Sequence, residues 1–394
     1  MFNQSKKNTK QIAVMQVLPH LNSGGLVSGA VEVATALSKL KYKSVVASSG
    51  GYKENEVLRN NSIIEKLPLN SKNLFTIISN KKKLVNLIIK HNINIIHARS
   101  RAPAWSAYLA AKELRIPFVT TFHGTYGTEN FFKKKYNSVM LKSDAVIAIS
   151  KFIKTHIKEK YNFDKNIYII PRGVNKNIFS PKEVSSARLI NAAKEINTEG
   201  DDKIILLPGR LTEWKGHSLA IQAVAKLSLR KFKLVIIGDV QGRFKYKQKL
   251  INLATNLDLQ NRVTFINHTR DLPAFLLLSD LVLSCSTKPE AFGRTILEAQ
   301  AMGRPVIAFN HGGSIELIEE NKNGILSEVG DIEKLALNIE KSLNIKNSSR
   351  VKLSKVSISN VNKNYLTEFM CKKTINLYRN LIRNLNSNEK NTNN

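Results

Sequence analysis

KIILLPGRLTEWKGH, residues 203–217, passes from an apolar run into Gly209, two cations and Gly216 before a helical pattern begins. The run reads as a β-strand and the remainder as a loop opening into a helix. The same unit recurs along the chain. In the second half, KLVIIGD, RVTFIN, LVLSCS and PVIAFN follow it; in the first half stand QIAVMQVL, SVVASS, INIIHA, PFVTTF and DAVIAIS. Short β-branched runs alternating with helical patterns specify an α/β fold with parallel sheets. Pro171, Gly173 and Pro181 punctuate IIPRGVNKNIFSPKEVSSARL and separate the two series. Two doubly wound Rossmann-like domains are therefore expected, at 1–175 and 195–360, joined by a linker at 176–194. A terminal helix is expected at 361–386, packing back toward the first domain, with a disordered tail at 387–394.

The 394 residues suit two cores better than one. Lys and Arg number 61 against 30 Asp and Glu, a net charge of +31 that favours an anionic partner, although abundant Lys, Asn and Ile also suit a biased genome. Cys285 and Cys371 stand far apart, outside any metal or disulfide spacing, which fits a reducing cytoplasm. The opening MFNQSKKNTKQIAVMQVLPHL resembles a secretory leader, but its apolar run is short, holds Gln16 and lacks a cleavage site; a first strand is the better reading. No apolar stretch is long enough to cross a bilayer, so any membrane contact is expected to be peripheral.

In sheets of this kind ligands sit beyond the carboxyl ends of strands. Gly24 and Gly25 follow the first strand and would let backbone amides approach a phosphate or sugar, or simply make a turn. His123, in TTFHGTYG, ends the fourth of these strands, where a histidine is either structural or a site residue. Arg210 and Lys215 suit a diphosphate, the first bidentate and the second a point charge, or else form a solvated pair.

PEAFGRTILEAQAMGRP, residues 289–305, carries two acids eight positions apart. A helix is expected to begin at Gly293 to Thr295, its first amides aimed at a phosphate. Glu298 lies one turn further, roughly 6 Å at 1.5 Å per residue, where a ribose diol attached to that phosphate would need an acceptor. Glu290 would face the opposite way, toward the group on the far phosphate.

Together VLPHLNSGG, HARSRAPAWSA, TTFHGTYG, PGRLTEWKGH and PEAFGRTILEAQAMGRPVIA resemble the retaining glycosyltransferases of family 4, and more narrowly a bacterial branch of lipopolysaccharide core synthesis. The resemblance implies a GT-B fold, two Rossmann-like domains facing across a cleft, the first for acceptor and the second for donor. It implies a UDP-, GDP- or ADP-linked sugar as donor and a lipid-linked saccharide as acceptor, with neither cofactor nor metal. Arg210 and Lys215 would stabilise the leaving diphosphate. Glu298 would bind the ribose; Glu290, Phe292, Gly293, Arg294 and Thr295 would bind the rest of the donor, with Asn267 near the base. His123 would lie beside the anomeric carbon, and Gly24 and Gly25 near the phosphates. Asn267 replaces a glycine common in such proteins, and LVSGAVE lengthens the first glycine loop.

Arg99 and Arg101, beyond a strand end, suit the carboxylates and phosphates of core sugars, or a surface ion pair. Phe131 and Phe132 beside Lys133, Lys134 and Lys135 fit a segment lying on the anionic cytoplasmic face of the inner membrane, or an ordinary packed helix. Two rival readings are a polyanion- or nucleic-acid-binding protein, which leaves Glu290 and Glu298 unexplained, and a nucleotide-sugar epimerase of the same architecture.

Overall fold

The computed structural model describes residues 11–391 except 23, 199, 230, 268 and 270. The expected lysine-rich start and residues 392–394 of the expected tail lie outside the described residues. The chain forms two units, one from residues 1–171 with 368–394 and the other from 172–367.

The first unit is built on seven strands: β1 Ala13–Val17, β2 Lys43–Ser48, β3 Ile63–Lys66, β4 Ile95–Ala98, β5 Phe118–Phe122, β6 Ala145–Ala148 and β7 Ile167–Ile169. Their order is β3-β2-β1-β4-β5-β6-β7 and every pairing is parallel; Val14 stands opposite Ser44 on one side and Ile95 on the other. The second unit holds β8 Lys203–Pro208, β9 Phe232–Ile237, β10 Val263–Ile266, β11 Leu281–Ser284, β12 Val306–Phe309 and β13 Ile325–Ser327. Its order, β10-β9-β8-β11-β12-β13, follows the same winding. In both sheets the chain moves outward from the first strand and then restarts on its other side. The loops therefore diverge between β1 and β4, and between β8 and β11, which opens a crevice at each switch point.

Burial on both faces explains the unbroken apolar runs. All five residues of β1 are buried, as are Ile205, Leu207, Leu234, Ile236, Leu281 and Leu283 at the centre of the second sheet. The helix Thr367–Asn391 supplies Met370, Cys371, Ile375, Tyr378 and Ile382 to a core shared with Ile12, Val14, Ile95, Val119 and Ile147.

Two stretches differ from the sequence expectation. The linker expected at 176–194 runs into the helix Ser186–Ile196, tied to the second unit by Arg188 Nε donating to Asp271 at 2.8 Å. The helix expected at 361–386 is the end of one helix, Asn347–Asn364, and most of the next, so residues 387–391 remain helical where a disordered tail was expected. The break at Tyr365 and Leu366 has a cause. Val174 N donates to Tyr365 O at 2.8 Å and Thr367 N to Val174 O at 3.0 Å, a strand-like exchange that a continuous helix could not make.

Candidate functional site

The second sheet's switch point brings two loops together. Gly216, at φ +70°, begins the helix His217–Ala225, and a Cβ there would overlap the carbonyl of Cys285 just after β11. Glycine is required by both the backbone angle and the close approach. Thr287 N then donates to Trp214 O at 2.7 Å, completing a clasp between the loop after β8 and the loop after β11. Within it Lys215 pairs with Glu290, and Ser286 Oγ donates to the same carboxylate oxygen at 2.6 Å. The Lys215 ammonium also lies 4.6 Å from the centre of the Trp214 ring. Both charged side chains are only 16% exposed, so water screens them little. Arg210 is exposed at the mouth of the same loop.

The second acid is set by the adjoining helix. Gly293, at φ +96°, precedes Arg294–Ala301, whose first amides have no earlier carbonyl within the helix to bond. Phe292 is buried beneath the turn. Glu298, one turn along, is 7% exposed and accepts from Arg294 at 2.7 Å. Each acid is thus tied to a cation, Glu290 to Lys215 and Glu298 to Arg294. Thr295 lies in the first turn between them.

Reading the sequence missed the support beneath this loop. Gly313 N donates to Glu290 O at 2.7 Å, and a Cβ on Gly312 or Gly313 would come within 2.6 Å of the backbone at Glu290 or Phe292. The His311 ring nitrogen donates to Ser286 O at 2.6 Å. Two glycines in the loop after β12 were the available signal, the same one read at Gly24 and Gly25. Asn267 directly follows the edge strand β10, two strands away from β8. His217, fully buried at the helix start, has its pKa pushed down to about 4 by desolvation, with Lys215 nearby adding to the effect.

The first unit treats its polar groups differently. Gly24, at φ +123°, precedes the helix Gly25–Lys39, and its need for glycine is conformational because a Cβ would meet nothing within 4 Å. Arg99, just past β4, is 3% exposed and directs its guanidinium at Gln16, with Nε donating at 2.9 Å; Gln16 in turn donates to Ala30 O at 2.9 Å. Arg101 donates to Asn137 at 3.0 Å and lies 4.3 Å from the centre of the Tyr126 ring. Half-buried His123 donates its backbone N–H to Tyr126 Oη at 3.4 Å. His97 is enclosed between Tyr378 Oη at 2.5 Å and Thr121 Oγ1 at 2.7 Å, and burial holds its pKa well below the usual imidazole range.

The lysine-rich segment forms the helix Phe131–Asn137, capped by Asn130, which accepts from Lys133 N at 2.7 Å. Phe131 and Phe132 are 71% and 81% exposed, which sets the segment apart from an ordinary packed helix. No helix among the described residues is long and apolar enough to cross a membrane.

Two family models match the chain, Glycosyl transferases group 1 over residues 190–359 and Glycosyltransferase Family 4 over residues 23–177. A crystal structure of a glycosyltransferase from Rickettsia africae ESF-5 is 37% identical, with a TM-score of 0.89, covering 95% of this chain and 100% of that one. Anabaena Alr3699/HepE, solved with UDP and glucose, is 21% identical with a TM-score of 0.83, over 93% and 99% of the two chains. Both share the two-sheet GT-B fold. The N-acetyl-alpha-D-glucosaminyl L-malate synthase of Bacillus anthracis is 28% identical over 257 residues, 63% of this chain and 65% of that protein. A lipopolysaccharide core biosynthesis glycosyltransferase, LpsE of Rhizobium meliloti, matches a shorter stretch, 32% identical over 160 residues, 41% of this chain and 45% of that protein.

Proposed function

The chain belongs to the group 1, family 4 glycosyltransferases, retaining enzymes that use nucleotide-sugar donors, and from that premise we propose its donor site, its acceptor class and its place of work. The observation that carries the donor site is the clasp joining Lys215, Ser286 and Glu290 beside the start of the Arg294–Ala301 helix. Cations, a hydroxyl and the first amides of a helix converge there, a combination suited to a diphosphate.

The donor's diphosphate would lie against the amides of Gly293, Arg294 and Thr295, with Arg210 and Lys215 meeting its charge. Glu298 would accept from the ribose hydroxyls, Glu290 would hold the transferred sugar, and Asn267 would approach the base. As the bond from the anomeric carbon to phosphate breaks, its electron pair passes to the departing oxygen, where the cations stabilise it. The acceptor hydroxyl attacks from the same face and its proton goes to the departing phosphate. His123, Gly24 and Gly25 take their proposed roles beside the anomeric carbon and phosphates from the family resemblance.

UDP is the first nucleotide to test, given the Anabaena relative's bound ligand. GDP- and ADP-sugars are the alternatives. The acceptor would be a lipid-linked saccharide, with lipopolysaccharide core as its most specific form. Arg101, held by Tyr126 and Asn137, is better placed than buried Arg99 to meet an acceptor's anionic group. The enzyme would work at the cytoplasmic face of the inner membrane, with Phe131, Phe132 and Lys133 to Lys135 on the anionic surface.

A panel of UDP-, GDP- and ADP-sugars, read by thermal shift and by product analysis with and without acceptor, tests this. A stabilising donor at a hundred times its Kd should add about 2.7 kcal/mol. Sugar should then appear on a lipid-linked acceptor with its anomeric configuration retained. Interconversion of the donor sugar without acceptor would indicate an epimerase, and stabilisation only by DNA would indicate a polyanion-binding protein.

A further inference from the structure

The exposed Phe131–Lys135 segment has a counterpart on another helix. Leu74–Lys90 begins after Asn73, whose side chain accepts from Phe75 N at 2.8 Å and Thr76 N at 3.3 Å. That cap fixes the first turn with Leu74 67%, Phe75 82% and Ile78 46% exposed. Among the described residues, three of the four most exposed phenylalanines are Phe75, Phe132 and Phe131.

The two turns are held at one level by the helix Arg101–Leu114 between them. Trp105 Nε1 donates to Tyr136 O at 3.1 Å, and the next residue, Ser106, donates through Oγ to Ile77 O at 3.0 Å. Ile77 is two residues from Phe75, and Tyr136 is one helical turn from Phe132. Both helices follow strands of one parallel sheet, so both begin at its carboxyl edge.

The two helices that carry these turns hold charges of one sign. Neither Leu74–Lys90 nor Phe131–Asn137 contains an acid, while Lys72, Lys82, Lys83, Lys133, Lys134 and Lys135 are all exposed. The neighbouring acid Glu129 is taken up by Lys133 at 2.8 Å. More broadly, residues 1–171 and 368–394 carry 32 Lys and Arg against 11 Asp and Glu; residues 172–367 carry 29 against 19.

We propose that Leu74, Phe75 and Ile78 form, with Phe131 and Phe132, a two-pronged surface that docks on an anionic lipid bilayer. The prongs straddle the Arg101–Leu114 helix, and the surrounding lysines face the headgroups. This rests on the reading of Phe131–Lys135 as interfacial and adds a second point of insertion. Two separated prongs fix the tilt of the unit against the membrane, which a single helix cannot do.

Full-length protein should be titrated with phosphatidylglycerol-containing and with pure phosphatidylcholine vesicles. Parent protein should prefer the anionic vesicles. The variant L74S/F75S should lose about tenfold in affinity for them, the factor that roughly 1.4 kcal/mol of apolar insertion supplies. F244S, at a site in the other unit exposed about as much as Phe131, should bind like the parent. In a second measurement, brominated lipid should quench the added indole of F75W. Parent-like binding by L74S/F75S together with no quenching of F75W would overturn the second prong. If K133E/K134E/K135E still loses binding in that case, the Phe131–Lys135 reading stands; if it too binds like the parent, both fall. Loss of a dimer with unchanged vesicle binding would also overturn the proposal, assigning the face to a second copy of the chain.

Discussion

The two units share one winding of parallel strands yet use their switch points in opposite ways. In the second, the loops after β8 and β11 are clasped together, and the clasp holds charged groups at the carboxyl edge: Lys215, Glu290 and the start of the Arg294–Ala301 helix. In the first, the residue just past β4 is Arg99, turned inward to Gln16 and thereby toward Ala30 of the Gly25–Lys39 helix. A guanidinium committed to an internal amide cannot also serve a ligand without leaving its partner unsatisfied. A shared winding therefore does not fix what a switch point holds; the side chains at the strand ends decide it.

Removing the cations of the clasp should give the largest effect. Lys215→Ala and Arg210→Ala should each lower the transfer rate a hundredfold or more, about 3 kcal/mol of transition-state stabilisation, in steady-state assays. Arg99→Gln should instead be felt chiefly as lost thermal stability. Similar catalytic losses from all three would erase the contrast between the units. Activity should also persist after chelator treatment if Arg210 and Lys215 meet the leaving group's charge as proposed; loss on EDTA with recovery on a divalent ion would contradict that role.

Acidification should affect both units. His217 has a folded pKa of about 4, below its ordinary 6.5, so the unfolded chain binds the proton first as pH falls. Its contribution is complete above pH 6.5 and is lost progressively between 6.5 and 4, about 2 kcal/mol by pH 5. His97 is shifted in the same direction. Denaturant unfolding at pH 7 and pH 5 should show the loss, and His217→Gln should flatten the part that belongs to the second unit.

The two glutamates should separate by about tenfold effects. Glu298→Gln should raise KM for donor and weaken nucleoside diphosphate binding, because the proposed ribose contact would be shared by ground and transition states. Glu290→Gln should lower kcat at saturating donor while nucleoside diphosphate binds almost normally. The Lys215–Glu290 pair adds a complication that spacing alone could not show: losing the carboxylate also frees Lys215. The smallest effect is expected from Tyr378→Phe, about 1 kcal/mol of stability from the lost hydrogen bond to His97, with donor affinity unchanged in a titration.

Interior strands were legible because burial on both faces leaves an apolar run, as in β1, β8 and β11. The strands missed in the sequence, β3, β7 and β13, all lie at sheet edges. β3 is Ile-Ile-Glu-Lys and β7 is Ile-Tyr-Ile, each only partly buried, so neither produces such a run. At the site, the charged and glycine residues of both loops could be read from local spacing. Their pairing could not, since Lys215 and Glu290 are 75 residues apart and only the Gly216–Cys285 approach brings them together. The inward turn of Arg99 was hidden for a similar reason: its partner Gln16 lies 83 residues away, and nothing local distinguishes an arginine that turns inward from one that faces solvent.

The origin of the Thr367–Asn391 helix has a consequence for synthesis on the ribosome. Tyr378 is made 281 residues after His97, the residue it bonds in the first core. At roughly 5–20 residues per second, that interval is about 14–56 s. Throughout it, the nascent first sheet lacks the helix that covers Val14, Ile95 and Val119, while the uninterrupted stretch 172–367 can emerge and fold as a unit. The first unit is thus completed only after the second has been made, and its apolar face stays open to chaperones until that helix emerges.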